Sequence, residues 1–448
     1  MMEWRQLLST QRFGHGDAEP GAPARTAFQK DWDRVVFSSA FRRLQDKTQV
    51  HSLPESDYVR TRLTHSMEVS SVGRSLGAAV GQTMLQRHPA LGQFATAADF
   101  GHIVSAACLA HDIGNPPFGH FGEDTIRYWF QDARGGAPLL AALAPAERAD
   151  FTGFEGNAQG FRILTRLQNW HEQGGLRLTA ATLATFTKYP CDAAVEPAAR
   201  TGDAALAKFG FFQAEKPHFD AVAAVVGLLR RRSRQGLAWC RHPLAFLVEA
   251  ADDICYRVVD LEDGYKLGRI RFAEAEALLI ALLGQAPARY RDVAEPPRKI
   301  GYLRAKAIGR LIEAVVQVFC DSETAIMDGA LRQDLLALVP QCATLAGIAA
   351  ITSERVFQTR DRYQTEIGGG EVIVTLLEAF TGAIEDRVQA GPDGRLSPKS
   401  DALLRLMPVP VRFEDAYGRL LQVTDFVSGM TDSYALAQFR RLKGLAIA

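Results

Sequence analysis

Nothing in this sequence pairs its cysteines. Six occur in 448 residues, at positions 108, 191, 240, 255, 320 and 342. None stands in a C-x-x-C spacing, which argues against a zinc knuckle or a disulfide framework and fits a reducing compartment. Net charge is absent too, because 51 Lys and Arg balance 51 Asp and Glu. Any grip on nucleic acid or a nucleotide must then come from a local basic cluster rather than a global field. No apolar run approaches the length of a membrane span, and the opening MMEWRQLLSTQRFGHG has no apolar signal-peptide region. A cytoplasmic protein without membrane contact is expected. Internal repeats and low-complexity tracts are missing, and strand-like alternation is scarce; KFGFFQ (208–213) is the best candidate for a short hairpin.

What is there is helical spacing. In THSMEVSSVGRSLGAAVGQTML, from Thr64, the residues Met67, Val72, Leu76, Ala79, Val80 and Met84 recur at helical intervals. FGHIVSAACLAHD (100–112) is nearly all apolar, as suits a helix buried in a core. The stretch from His242 opens with Pro243 at a favourable first-turn position. Long helices also suit 301–319, 371–389 and 430–444, with loops at 131–150, 190–206 and 386–401. The expected class is mainly α, with at most a short β-hairpin.

Chemistry concentrates in LAHDIGNPPFGHFGED (109–124). Gly114 and Pro116–Pro117 stop the preceding helix. His111 and Asp112 therefore sit at a helix end, where backbone carbonyls already attract cations. A lone His-Asp pair there is ordinarily a surface pair, so further ligands are needed. His65 opens a helix three residues after Arg62 in RTRLTHSMEVS. In VEAADDICYRVVD, Asp252, Tyr256 and Asp260 recur every fourth residue and share a stripe with Glu249 and Asp263. Leu247, Ala251, Ile254, Val258 and Leu261 take the opposite face. Taken singly, that stripe reads as a solvated acidic face. Together the pieces offer two imidazoles and two carboxylates, a set suited to Mn²⁺, Fe²⁺, Mg²⁺, Co²⁺ or Zn²⁺.

The order His65, His111-Asp112, Asp252 resembles that of the HD-domain metal phosphohydrolases. The blocks DWDRVVFSSAFRRLQDKTQV, RTRLTHSMEVS, HDIGNPPFGHFGE, FEGNAQGFRIL, LATFTKYP and EAADDICYRVVDLED resemble one branch of them, the deoxynucleoside triphosphate triphosphohydrolases (dGTPase-like enzymes). The resemblance implies an N-terminal arm (1–29), a helical HD-domain core (30–270), and a C-terminal helical region (271–448) completing the pocket and oligomer contacts. It implies His65, His111, Asp112 and Asp252 as metal ligands. The D-x-x-x-Y-x-x-x-D spacing of that family selects Asp252, with Asp253 as the alternative.

His120 matches the family's catalytic histidine and Glu123 the acid paired with it, with Asp112 also at the catalytic centre. A His held by a carboxylate serves as acid or base near neutral pH. Some relatives carry His where Asn115 stands, so Asn115 is given no proton-transfer role. Arg62 and Lys188 would meet the phosphates, Gln49 and Val50 the sugar, and Tyr256 the sugar and phosphates, with Asp260 one turn on. Asn157 and Gln159 would lie near the site. Glu366 would help shape the pocket, although Phe357 stands where a Tyr is expected.

The implied reaction is hydrolysis of a dNTP, dGTP among them, to deoxynucleoside and triphosphate by water attack at the α-phosphorus. A dNTP activator, single-stranded nucleic acid and a homo-oligomer, hexameric or tetrameric, are the further partners. Base preference and native metal stay open. Two rivals remain: an HD phosphohydrolase of monophosphates or cyclic nucleotides, and a nucleotide-sensing or single-strand-binding protein with decayed catalysis. The complete set His65, His111, Asp112, Asp252, His120 and Glu123 speaks against decay. RRRSRQG, ending at Gly236, reads as a solvated helix end, and His102 as a core or rim histidine. FRRLQDK could belong to an effector or subunit contact. IGGGEV is too short for a dinucleotide fingerprint.

Overall fold

The computed structural model describes residues 1–12, 25–48, 60–169, 174–391, 393–408 and 415–445; the expected sugar-contact residues Gln49 and Val50 lie outside them. Among the described residues the chain is helical. Its only β features are isolated bridges such as Cys191–Ala238 and Arg230–Trp239, so the class is mainly α. KFGFFQ forms no hairpin. Phe211 packs into one hydrophobic core while Phe209 and Phe212 pack into another. The segment threads between two cores, and its aromatic rings are used for packing rather than for strand pairing.

The helices that position the site are α1 (Ala27–Val36), α2 (Arg62–Arg87), α3 (Ala97–Ala110), α4 (Gly119–Gln131), α5 (Ala180–Phe186), α6 (Ala245–Lys266), α7 (Pro296–Asp321), α8 (Arg360–Ala390), α9 (Ala416–Ser428) and α10 (Asp432–Leu442). A capping box opens α2, with Thr61 and Thr64 satisfying each other's backbone N–H. Thr96 and Asp99 do the same for α3. The two helices lie against each other along a seam of small residues. A Cβ on Gly77 would come within 2.6 Å of the Phe100 carbonyl oxygen, so only glycine lets these backbones approach.

The expected apolar face of α6 (Leu247, Ala251, Ile254, Val258, Leu261) is fully buried. Its acidic stripe faces the start of α2 and the end of α3. The first core runs from Met2 to Val356 and includes α7, so neither residue 29 nor residue 270 marks an edge in it. The second core joins Ile126, Trp129 and Phe130 of α4 to Val372, Ile373, Leu376 and Phe380 of α8 and Leu420 and Leu421 of α9. Ile113 belongs to the first core and Phe118 packs against the second. The His-Asp loop therefore bridges the seam between them.

One helix corrects the expectation about apolar runs. Residues Arg362–Ala390 of α8 are long and apolar enough to cross a membrane by length and composition, and half of the most apolar window is buried inside the protein. Val372, Ile373, Leu376, Leu377 and Phe380 are among its buried residues. The apolar character that passes such a test is that of a core helix.

Candidate metal and catalytic site

His111 is the C-cap of α3. Its Nδ1 lies 2.6 Å from the Cys108 carbonyl oxygen. A carbonyl only accepts, so Nδ1 carries a proton and Nε2 is the nitrogen turned toward the carboxylates. That Nε2 is 3.5 Å from Asp252 Oδ1 and 3.6 Å from Asp112 Oδ1. The same Asp252 oxygen is 3.1 Å from His65 Nε2. Ligand atoms of His65, His111 and Asp252 all lie within 4.8 Å of one another. Asp112 flanks this group, its Oδ2 taking Arg62 Nη1 at 3.0 Å and its Oδ1 accepting from Asn115 Nδ2 at 2.5 Å. Asp253 stands outside it, and burial together with the Asp252 charge pushes its carboxyl up to about 6.

Burial alone pushes both carboxyls of the group up. For Asp112 the charges of Arg62, His111 and His65 outweigh burial and hold the carboxyl well below its usual range. His111 and Lys188 do the same for Asp252. Burial would lower His111, but Asp112 and Asp252 raise it on balance. Two ionised carboxylates and two imidazoles thus converge in a largely buried group, with Asp252 at its partly exposed edge. That donor set fits a divalent cation of the borderline-to-hard class. Lys188 places Nζ 3.2 Å from Asp252 Oδ2. Burial opposes its charge, yet Asp252, Tyr189 and Glu249 raise its pKa and keep it a cation.

Beyond the loop, α4 supplies the second pair. His120 Nδ1 is 3.1 Å from Glu123 Oε2. The imidazole is exposed and the carboxylate beneath it is buried. The Gly156 N–H donates to Glu123 Oε1 at 2.8 Å. Burial pushes Glu123 up, but the His120 hydrogen bond and the charges of His120, Lys208 and Arg127 bring it down on balance. Buried Glu155 gathers Arg127 Nη2 at 3.0 Å, Lys208 Nζ at 3.2 Å and Asn157 Nδ2 at 2.8 Å. Asn157 accordingly braces Glu155. Gln159 turns away from the cluster to Asp425, at 2.9 Å.

A third group lines the approach. Tyr256, one turn after Asp252, stacks on Phe357 with centroids 5.5 Å apart and planes 6° from parallel. The Arg362 guanidinium sits 5.5 Å above the Phe357 ring and pairs with Glu366 at 2.7 Å. Phe357 thereby links Tyr256 to Glu366. Burial pushes the Tyr256 hydroxyl up to about 12. Burial, with Asp263 adding, raises Asp260 well above the carboxylate range, and its Oδ2 is buried without a hydrogen-bond partner.

Sequence reasoning missed Lys47, Glu155 and Asp432. Lys47, in FRRLQDK, is buried and donates to the carbonyls of Asn115 at 2.5 Å and Ser428 at 3.0 Å. Only the block's likeness to the family pointed there. RRRSRQG is a loop rather than a helix end. Arg230 lies over Trp239, Arg231 pairs with Asp203, and Ser233, Arg234 and Gln235 bind Glu196.

Comparison with known proteins agrees with this arrangement. A model of the HD domain matches residues 62–147, a span holding His65, His111, Asp112, His120 and Glu123 but not Asp252. A deoxyguanosinetriphosphate triphosphohydrolase-like protein of Synechocystis sp. is 47% identical over 100% of both chains. One from Pseudomonas aeruginosa is 43% identical over 99% of each. A deoxyguanosinetriphosphate triphosphohydrolase of Yersinia enterocolitica is 31% identical over 98% of this chain and 99% of its own. With its His/Asp cluster inside that frame and full-length likeness throughout, the chain belongs to the deoxyguanosinetriphosphate triphosphohydrolase-like family of HD-domain hydrolases.

Proposed function

We propose that this enzyme is a divalent-metal-dependent dNTP triphosphohydrolase, with dGTP among its substrates. The observation that carries the reading is the convergence of His65, His111 and Asp252, flanked by Asp112, beside the separate His120–Glu123 pair. His65, His111, Asp112 and Asp252 would hold Mn²⁺ or Mg²⁺, with Fe²⁺ or Co²⁺ as the other candidates. When bound, such an ion polarises the α-phosphate and acidifies a water.

The chain's own residues do the rest. A water oxygen bonds to the α-phosphorus, the bond from phosphorus to O5′ breaks, and the triphosphate keeps the new oxygen. His120, steadied by Glu123, supplies the proton that O5′ takes as it leaves on the deoxynucleoside. Arg62 and Lys188 face the phosphates; Arg62 Nε is buried with no partner and is free to donate. Asp260, whose carboxyl burial pushes up and whose Oδ2 has no hydrogen-bond partner, would offer a hydrogen bond to a sugar hydroxyl, and Gln49 and Val50 keep the sugar-contact role that the family resemblance gives them. Tyr256 and Phe357 form a flat wall, with Glu366 behind them and Asn157 bracing the far side. The same reading carries a cytoplasmic hexamer or tetramer, dNTP activation and binding of single-stranded nucleic acid.

Anion-exchange analysis of each dNTP and NTP, alone and mixed, with Mn²⁺ or Mg²⁺, tests it. Triphosphate plus deoxynucleoside, abolished by Asp112→Ala, is the expected result. Release of orthophosphate from monophosphates instead, or intact dNTPs in every mixture, overturns it.

A further inference from the structure

The backbone ahead of His120 is held in an unusual conformation by the far end of the chain. Phe118 has φ +61° and Gly119 φ +62°, a left-handed pair that turns the chain into α4. Glycine adopts this freely, whereas a residue as bulky as Phe needs outside support. Three contacts supply it. The Phe118 N–H donates to Asp432 Oδ1 at 2.9 Å. The Phe118 ring lies directly on α8, where a Cβ on Gly369 would come within 2.7 Å of its Cγ. The Arg62 guanidinium closes over Gly119, where a Cβ would be 2.7 Å from Nη2.

Phe121 repeats the arrangement, since a Cβ on Gly370 would lie 3.1 Å from its Cε1. The triple glycine that carries no dinucleotide fingerprint is thus a shelf for the two rings that flank His120. Asp432, at the start of α10, is 6% exposed. Its second oxygen accepts from the Thr48 N–H at 3.0 Å. One carboxylate therefore ties the loop before His120 to the segment that leads into Gln49 and Val50.

We infer that Gly369 and Asp432, from α8 and α10, are positioning residues that aim His120 at the leaving oxygen. The inference rests on His120 being the proton donor proposed above. It assigns the C-terminal helices a part in the chemistry without contact to substrate. A methyl at Gly369 displaces the Phe118 ring, and loss of the Asp432 acceptor releases the Phe118 backbone. Either change moves His120, and the Asp432 carboxylate bonds to Phe118 and Thr48 rather than to the metal cluster.

The experiment is steady-state hydrolysis of dGTP with Mn²⁺, or of the dNTP mixture if a single substrate is silent, by the full-length chain. Bound metal and melting temperature are recorded for each variant, so that turnover is counted per folded, metal-loaded protomer. His120→Ala should lower kcat by about 10²–10⁴-fold. Gly369→Ala and Asp432→Ala should each lower kcat by about tenfold or more at nearly unchanged KM and metal content, since small displacements of reacting groups carry costs of this order. Asp432→Asn, whose single amide oxygen can keep the Phe118 N–H while its Nδ2 gives up the bond from the Thr48 N–H, should restore kcat to within about threefold of the parent, on the same scale of displacement costs. Ser433→Ala, which removes only an exposed hydrogen bond to Asp46, should change nothing. Parent-like kcat in Gly369→Ala and Asp432→Ala overturns the inference, as does an Asn variant as damaged as the Ala one. If His120→Ala itself turns over normally, the proton-donor reading fails first, and that outcome is separate from the other two.

Discussion

His111 and His120 stand nine positions apart, one capping α3 and the other in the first turn of α4, and occupy opposite settings. Each leans on a carboxylate. The His111 side chain is 4% exposed and that of His120 is 69% exposed. His111 is fixed from behind by the Cys108 carbonyl and faces two carboxylates kept ionised by surrounding cations. That is what a metal ligand needs: one tautomer, one orientation and no exchange with water. His120 has solvent on one side and buried Glu123 on the other. That is what a proton donor needs, because it must recover its proton from water after each turnover. Under the function proposed above, this short stretch would supply both a metal ligand and a proton donor, and the cores on either side of it set which histidine is buried.

Removing Asp252 should break the comparison most severely. Its Oδ1 is the oxygen nearest both His65 and His111, and Asp252→Ala would also strand the charge of Lys188. Bound metal should be lost and triphosphate release should fall to background, read by elemental analysis and the anion-exchange assay. His120→Ala is the contrasting change. Metal content should stay at the parent level while kcat falls by about 10²–10⁴-fold. If His120→Ala lost its metal as well, the division into a dry half and a wet half would be wrong.

Much of this was legible in sequence, for local reasons. The every-fourth-residue stripe of α6 and the helix stop at Gly114 and Pro116–Pro117 are short-range patterns that put Asp252 on one helical face and His111 at a helix end, while the choice of Asp252 as a ligand came from the family resemblance. The expected helix at 371–389 proved to be α8, beginning at Arg360. Its triple glycine looks like a helix breaker by propensity, but the rings of Phe118 and Phe121 packed on it keep the helix continuous. Asp432 could not be read at all, and Lys47 only through the likeness of its block to the family. Their partners, Phe118 and Asn115, are remote in sequence, and such pairs leave no periodicity. The left-handed Phe118 was hidden for the same reason, since a bulky residue gives no local sign of positive φ.

Lys47 sharpens the comparison by adding a buried amine that donates to two backbone carbonyls. Burial, with Arg43 adding to it, lowers its pKa from 10.5 to about 7. Between those two values the folded state binds fewer protons than the unfolded chain, so stability should rise with pH across that window. Below about 7 the contribution is fully lost. Urea unfolding at several pH values should show this slope, worth a few kcal/mol in total at about 1.4 kcal/mol per unit. Lys47→Met should flatten it. An unchanged slope would mean that the Lys47 amine keeps its proton when folded.

The smallest expected effect is at the approach to the cluster, where neither histidine is involved. Phe357→Ala removes the ring that stacks on Tyr256 and carries the Arg362 guanidinium. Aromatic pairs of this kind contribute about 0.5–1.5 kcal/mol beyond area burial. If the wall only holds the nucleoside, KM for dGTP should rise by about 2–10-fold, the same energy expressed in binding, with kcat nearly unchanged. Metal content should not move. A fall in kcat at constant KM would have a different meaning, because it would place the stack in the transition state. Tyr256 would then work with His120 rather than with the sugar, and the wet half of the site would extend from α4 across to α6.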